Sequence, residues 1–139
     1  MADPFDLQRF VDAQDRVYGR VLAELRAGAK RSHWIWFIFP QLRGLGSGST
    51  AEFFGIESLA EAGAYLADPV LGPRLRECTR LVASIEGRSV DEIFGWPDNL
   101  KVRSSMTLFA LAADDNDDFL AVLEKFYGGQ QDSRTQELI

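Results

Sequence analysis

The sequence is short of several things. It holds one cysteine, Cys78, and one histidine, His33, in 139 residues. A lone thiol makes no internal disulfide, and no Cys/His set has the spacing of a zinc site, so neither a metal nor a cofactor is expected. Cys78 reads as a small buried helix residue, because no base stands near it in the chain to make a reactive thiolate. Basic residues are outnumbered, 15 against 21 acidic, for a net charge of −6. Nonspecific binding to nucleic acid needs a basic footprint, and this chain lacks one. Long apolar runs are missing too. The longest, Trp34 to Pro40, falls far below the ~20 residues of a membrane span, so no membrane partner is expected. The N-terminal MADPFDLQRF lacks the basic and apolar regions of a secretory leader, and the expected setting is the cytoplasm. Hairpin turns and strand–helix alternation are also absent, which argues against a Rossmann or P-loop scaffold.

What is present has a helical period. The length suits one domain, residues 1–139, able to bury roughly 68–70% of the surface its unfolded form exposes. Leu7, Phe10 and Val11 share a helix face, with Asp6 as a cap candidate. Val17, Val21, Leu22 and Leu25 form the next stripe, with Asp15 expected as N-cap and Gly28 as the stop. Gln41 to Thr50, QLRGLGSGST, is expected as a loop. Ser58 caps a helix lined by Leu59, Ala62 and Leu66. Pro73 is expected at N1 of a longer one that carries Leu75, Cys78, Leu81, Val82 and Ile85 toward Gly87. Ser89 caps a short helix through VDEIF, and Pro97–Asp98 opens a longer one. The acidic run Asp114, Asp115, Asp117 and Asp118 lacks calcium-loop spacing and reads as a solvated cap for a helix that Gly128 closes. The tail from Gln130 is polar and expected to be loosely held. The expected fold is therefore all-α, with about eight short helices stacked as irregular antiparallel pairs. One internal echo exists: Ile38-Phe39 before Pro40 and Ile93-Phe94 before Pro97, 55 residues apart.

The stretch RSHWIWFIFPQ, Arg31 to Gln41, packs four aromatic side chains beside the one histidine. Seven consecutive apolar residues have no period of their own, and a lone strand would have no partner. A short helix from His33, capped by Ser32 and ended by Pro40, is expected. Ile35, Phe37, Ile38 and most of the ring area read as core. The polar margin does not: Lys30, His33, Gln41 and Arg43 bracket the run, and cations beside Trp34 and Trp36 suit a flat ligand. A second polar set stands at Asp98, Lys101, Ser104 and Ser105. The serines read first as helix residues bonded to i−4 carbonyls; a Ser–Lys nucleophile and base is the alternative, without a supporting motif. GLGSGS lacks both phosphate-loop patterns and reads as a connector.

Three stretches, ELRAGAKRSHWIWFIFPQLRGLG, AYLADPVLGPRLREC and IFGWPDNLKVRSSMTLF, resemble the family catalogued as domain of unknown function 1810. The resemblance runs from LQRFVDAQD to GGQQDSRT. It implies a compact all-helical domain with an armadillo-like right-handed arrangement of helix pairs, and it implies no established activity. The family-like residues are Lys30, Ser32, His33, Trp34, Trp36, Phe39, Pro40, Gln41, Gly44, Leu45 and Gly46, then Asp98, Lys101, Ser104, Ser105 and Met106. Gly48 and Phe54 stand where the family pattern suggests Ser and Tyr, and Trp96 and Asn99 also depart from it.

Function stays open among three expectations. The first is a binding module for a peptide or a small planar or anionic ligand, with Lys30, His33, Trp34, Trp36, Gln41, Arg43, Asp98, Lys101, Ser104 and Ser105 as its site. The second is a metal-independent enzyme acting on a nucleotide-like or phosphate-bearing substrate, with His33 as acid or base and Lys101 as electrostatic stabiliser. The third is an accessory protein without a pocket. Both site readings require His33 and Lys101 to approach one cleft. Substrate, partner and oligomeric state are not encoded in any motif.

Overall fold

The computed structural model describes residues 3–139. Met1 and Ala2, part of the stretch read above for a leader, lie outside it. The described residues form ten helices: α1 Gln8–Asp15, α2 Tyr18–Arg26, α3 Ile35–Ile38, α4 Ser49–Phe54, α5 Leu59–Ala67, α6 Leu71–Ser84, α7 Val90–Phe94, α8 Asp98–Ala112, α9 Asp117–Tyr127 and α10 Ser133–Leu138. No strand forms among them, only an isolated bridge between Leu42 and Ile56. The all-helical class stands, with two helices beyond the eight expected. Both extra ones lie in polar stretches: α4 starts inside the expected loop, and α10 lies in the expected loose tail.

Several expected caps are in place. Ser58 accepts from the Glu61 amide, and Ser89 forms a full capping box with Glu92. Gly128 ends α9 in the left-handed region, φ 60°. Others moved. Asp15 closes α1 instead of capping α2, and its carboxylate pairs with Arg74 at 2.9 Å. The Asp3 carboxylate, not Asp6, takes the Leu7 and Gln8 amides. α6 begins at Leu71, two residues before Pro73, because the Asp68 carboxylate accepts from the Val70 and Leu71 amides. The aromatic helix is shorter than expected, since Ser32 spends its hydroxyl elsewhere.

α8 occupies the middle of the molecule. Every residue from Ser104 to Ala110 is buried, the hydroxyl side chains Ser104, Ser105 and Thr107 included. It packs on α5, α7, α9, α10 and α3, and α6 packs on α5, α9 and α2. One cluster joins these faces, from Phe10 and Trp34 through Tyr65 and Leu75 to Phe109 and Phe119. The two echoed segments pack against each other. Phe94 meets Trp34 and Phe39 edge-on at 6.4 and 6.1 Å, and the Lys30 amide donates to the Ile93 carbonyl. That contact sets the start of the aromatic run beside the start of α8. Cys78 is buried, which pushes its thiol up to about 12 and leaves it unreactive, as expected.

Candidate functional site

The site begins with a carboxylate on α2. Glu24 accepts from the Arg31 amide at 2.7 Å, the Ser32 amide at 3.1 Å, the Ser32 hydroxyl at 2.6 Å and the Trp34 indole N–H at 2.9 Å. Burial alone would raise its pKa. The four donors outweigh burial and hold it at about 2. This knot fixes Arg31 to Trp34 over the end of α2, buries Trp34, and delays α3 to Ile35. Between the tied residues, His33 turns outward. It is exposed and makes no hydrogen bond or ion pair with a described residue.

The two polar margins do meet, through Asp98. Its carboxylate takes Lys30 Nζ at 2.8 Å on one oxygen and Lys101 Nζ at 3.1 Å on the other. Burial works against the charged form of Asp98, and the two ammonium groups more than reverse it, so its pKa is lowered. Each ammonium also lies over an indole, Lys30 at 5.2 Å from the Trp34 ring and Lys101 at 4.3 Å from the Trp36 ring. Trp36 in turn is set against Gly46, where a Cβ would stand 3.0 Å from the ring. Glycine is needed there for the close approach.

Beside this bridge lies a cleft of about 210 Å³. The loop after α3 contributes Gln41, Leu45 and Gly46. Pro97 and the first turns of α8 contribute Leu100, Lys101 and Ser104. The third wall is α10 and its cap, with Asp132 and Arg134. Asp132 is held in place: one oxygen accepts the Thr135 amide and hydroxyl, at 2.9 and 2.6 Å, and the other faces Arg103 at 3.7 Å. Arg134 is exposed and pairs with no described carboxylate. Gln41 is only 7% exposed, yet its side-chain amide bonds to no described residue. The buried side-chain atoms sealed off without a partner are Arg103 Nε and Ser105 Oγ. The Gln41 amide is not among them, so its residual open surface faces the cleft.

Of the residues nominated from sequence, the cleft gathers Gln41, Lys101 and Ser104, with Lys30 and Asp98 bridged behind Lys101 and Trp36 beneath it. Trp34 is core. His33 does not line the cleft. Arg43 is turned toward α4, where it donates to the Glu52 and Gly55 carbonyls. Ser104 donates to the Leu100 carbonyl at 3.1 Å, the i−4 bond expected of it. Ser105 is fully buried, and Lys101 bonds to Asp98, so Ser–Lys activation has no geometry here. Phe54, where the resemblance suggested Tyr, packs on Phe10 and Phe37 at 5.8 and 5.3 Å. Leu45, Pro97, Leu100, Asp132 and Arg134 were not singled out from sequence. Asp132-x-x-Thr135 is an N-cap signal that could have revealed α10 and thereby its two charged residues. A larger hollow of about 410 Å³ lies beside Arg9, but that guanidinium is spent on the Phe5, Asp6, Phe53 and Gly55 carbonyls and on Glu61. Among the described residues no cluster of His, Cys, Asp and Glu could hold a metal ion, and no helix is long and apolar enough to cross a membrane.

A family model described as "Protein of unknown function (DUF1810)" matches residues 4–139. The crystal structure of the conserved hypothetical protein Rv1873 from Mycobacterium tuberculosis is similar over 99% of this chain and 98% of that one, at 63% identity and a TM-score of 0.98. No curated protein matches.

Proposed function

This chain belongs to the DUF1810 family of proteins of unknown function, and we propose that it is a small helical binding module whose cleft takes an anionic ligand. One observation carries the reading: a protein of net charge −6 lines this cleft with two cations, Lys101 and Arg134, against one carboxylate, Asp132. Arg134 has no ion partner among the described residues, and its planar fork suits an oxyanion. Lys101 is already oriented by Asp98 and the Trp36 ring, so little side-chain freedom is lost when a ligand arrives. Leu45, Pro97 and Leu100 add the apolar area that small-ligand sites use for contact. A cytoplasmic setting suits a chain whose one thiol stays reduced and buried. The enzymatic alternative has less support, since His33 stands outside the cleft and neither serine hydroxyl meets a base.

A thermal-shift series with inorganic phosphate, mononucleotides and small carboxylic acids tests this. A ligand at 100 times its dissociation constant stabilises by about 2.7 kcal/mol. The expected result is a dose-dependent shift for at least one anion that is lost in Arg134→Ala. A flat response across every anion overturns the reading.

A further inference from the structure

Gln41 narrows what kind of anion fits. The Gln41 side-chain amide bonds to no described residue and is not sealed from solvent, and it opens on the cleft, so a ligand there meets a free donor and a free acceptor. Its Oε1 accepts and its Nε2 donates, side by side, so its natural complement is the N–H and C=O that one residue of an extended peptide presents on the same edge. The ligand then carries an amide next to its anionic group. Asp132 narrows the choice further. Its oxygen toward Arg103 retains accepting capacity, which suits a neighbouring N–H, and a fixed carboxylate in the wall repels a dianionic phosphate more than a monoanionic carboxylate.

Resting on the reading of the cleft as an anion site, we propose that the anion is the carboxyl terminus of a partner peptide with an apolar last residue. The terminal carboxylate sits between Lys101 and Arg134, the N–H and C=O of the residue before the last pair with Gln41, and the last side chain lies on Leu45, Pro97 and Leu100. The residues upstream leave the cleft past Trp96. That indole is 78% exposed and stands next to Pro97 in the chain, an unusual position for so large an apolar ring unless a partner covers it. Capture of a terminal carboxylate by fixed donors is an established way of recognising peptides.

The test follows the Gln41 side-chain amide and the Trp96 indole by ¹⁵N NMR in the whole protein. The probes are an N-acetylated tetrapeptide ending in leucine, its C-terminal amide, N-acetyl-leucine, acetate, uridine monophosphate and inorganic phosphate. The tetrapeptide acid is expected to shift both signals and to bind at least about tenfold more tightly than its amide, the cost of one charge-assisted bond. Gln41→Met weakens the tetrapeptide by about tenfold and leaves acetate binding unchanged. Trp96→Ala, which removes a side chain that is 78% exposed, weakens the tetrapeptide and not N-acetyl-leucine. Equal binding of acid and amide overturns the proposal, and so does tighter binding of either phosphate probe; both outcomes leave the anion site standing. Equal affinity for N-acetyl-leucine makes the source a free metabolite and overturns peptide docking. Silence from all six probes overturns both readings.

Discussion

Two glutamines flank the aromatic segment, and their fates differ. Gln14 is 1% exposed. It donates to the Phe37 carbonyl at 2.8 Å and the Tyr65 hydroxyl at 2.9 Å, and accepts from Arg74 at 3.3 Å. Gln41 is almost as buried, but its side-chain amide bonds to no described residue and keeps some open surface. The first amide ties the segment into the core; the second faces an open cleft. Burial therefore does not distinguish a structural polar group from a functional one. The state of its hydrogen bonds does, because an amide bonded within the protein is spent on the fold while one that opens on a cleft keeps its donor and acceptor for water or a ligand.

The largest expected effect separates the two directly. Gln14→Leu removes the Phe37 carbonyl's side-chain donor and the Tyr65 hydroxyl's partner, and should cost about 2–6 kcal/mol in urea unfolding, at about 1–3 kcal/mol for each of the two buried groups left unpaired. Gln41→Met should change stability by less than about 1 kcal/mol, because it removes no bond. Comparable losses in the two variants would break the comparison.

The same contrast holds between carboxylates. Glu24 is saturated by four donors within one segment, whereas Asp98 ties two segments together. Because the folded pKa of Glu24, about 2, lies below its ordinary 4.5, its contribution is complete above about pH 4.5 and is lost as pH falls toward 2. That contribution amounts to roughly 3 kcal/mol at 1.36 kcal/mol per pKa unit. Unfolding free energies should fall between pH 5 and pH 2.5 in the native protein, and by less in Glu24→Gln. Equal acid sensitivity would remove Glu24 as the cause. Asp98→Asn should cost less, about 2 kcal/mol, since it strands the mostly buried Lys30 but leaves its stem packed on Trp34.

The sequence carried the helices through their caps and stripes, and less clearly through its polar stretches. Ser58, Ser89 and Gly128 were legible because capping is local: the donor or the turn lies within three residues of the signal. Ser32 misled for a nonlocal reason. Its hydroxyl was taken by Glu24, eight residues back, so the expected cap never formed and α3 starts late. The Lys30 and Lys101 margins were legible as polar groups beside aromatics, but their meeting depended on the Phe94 packing, which no spacing encodes. The third wall was missed because α10 has no apolar stripe; its Asp132 and Thr135 were the sole local sign of a helix.

The smallest effect on stability is also the sharpest comparison within the site. His33 and Arg134 are both exposed, and neither bonds to a described residue. Each alanine variant should therefore leave stability within about 0.5 kcal/mol. Their binding should diverge. Arg134 lines the cleft, so Arg134→Ala should weaken any anion that binds there and flatten the salt dependence of its affinity, because a screened charge has been removed from the contact. His33 stands outside the cleft, and His33→Ala should change neither affinity nor its salt dependence. Titrating the best-binding anion at two ionic strengths against both variants reads the difference. A loss in His33→Ala equal to that in Arg134→Ala would move the site back toward the tip of the Glu24 knot, where the sequence first suggested a histidine could act.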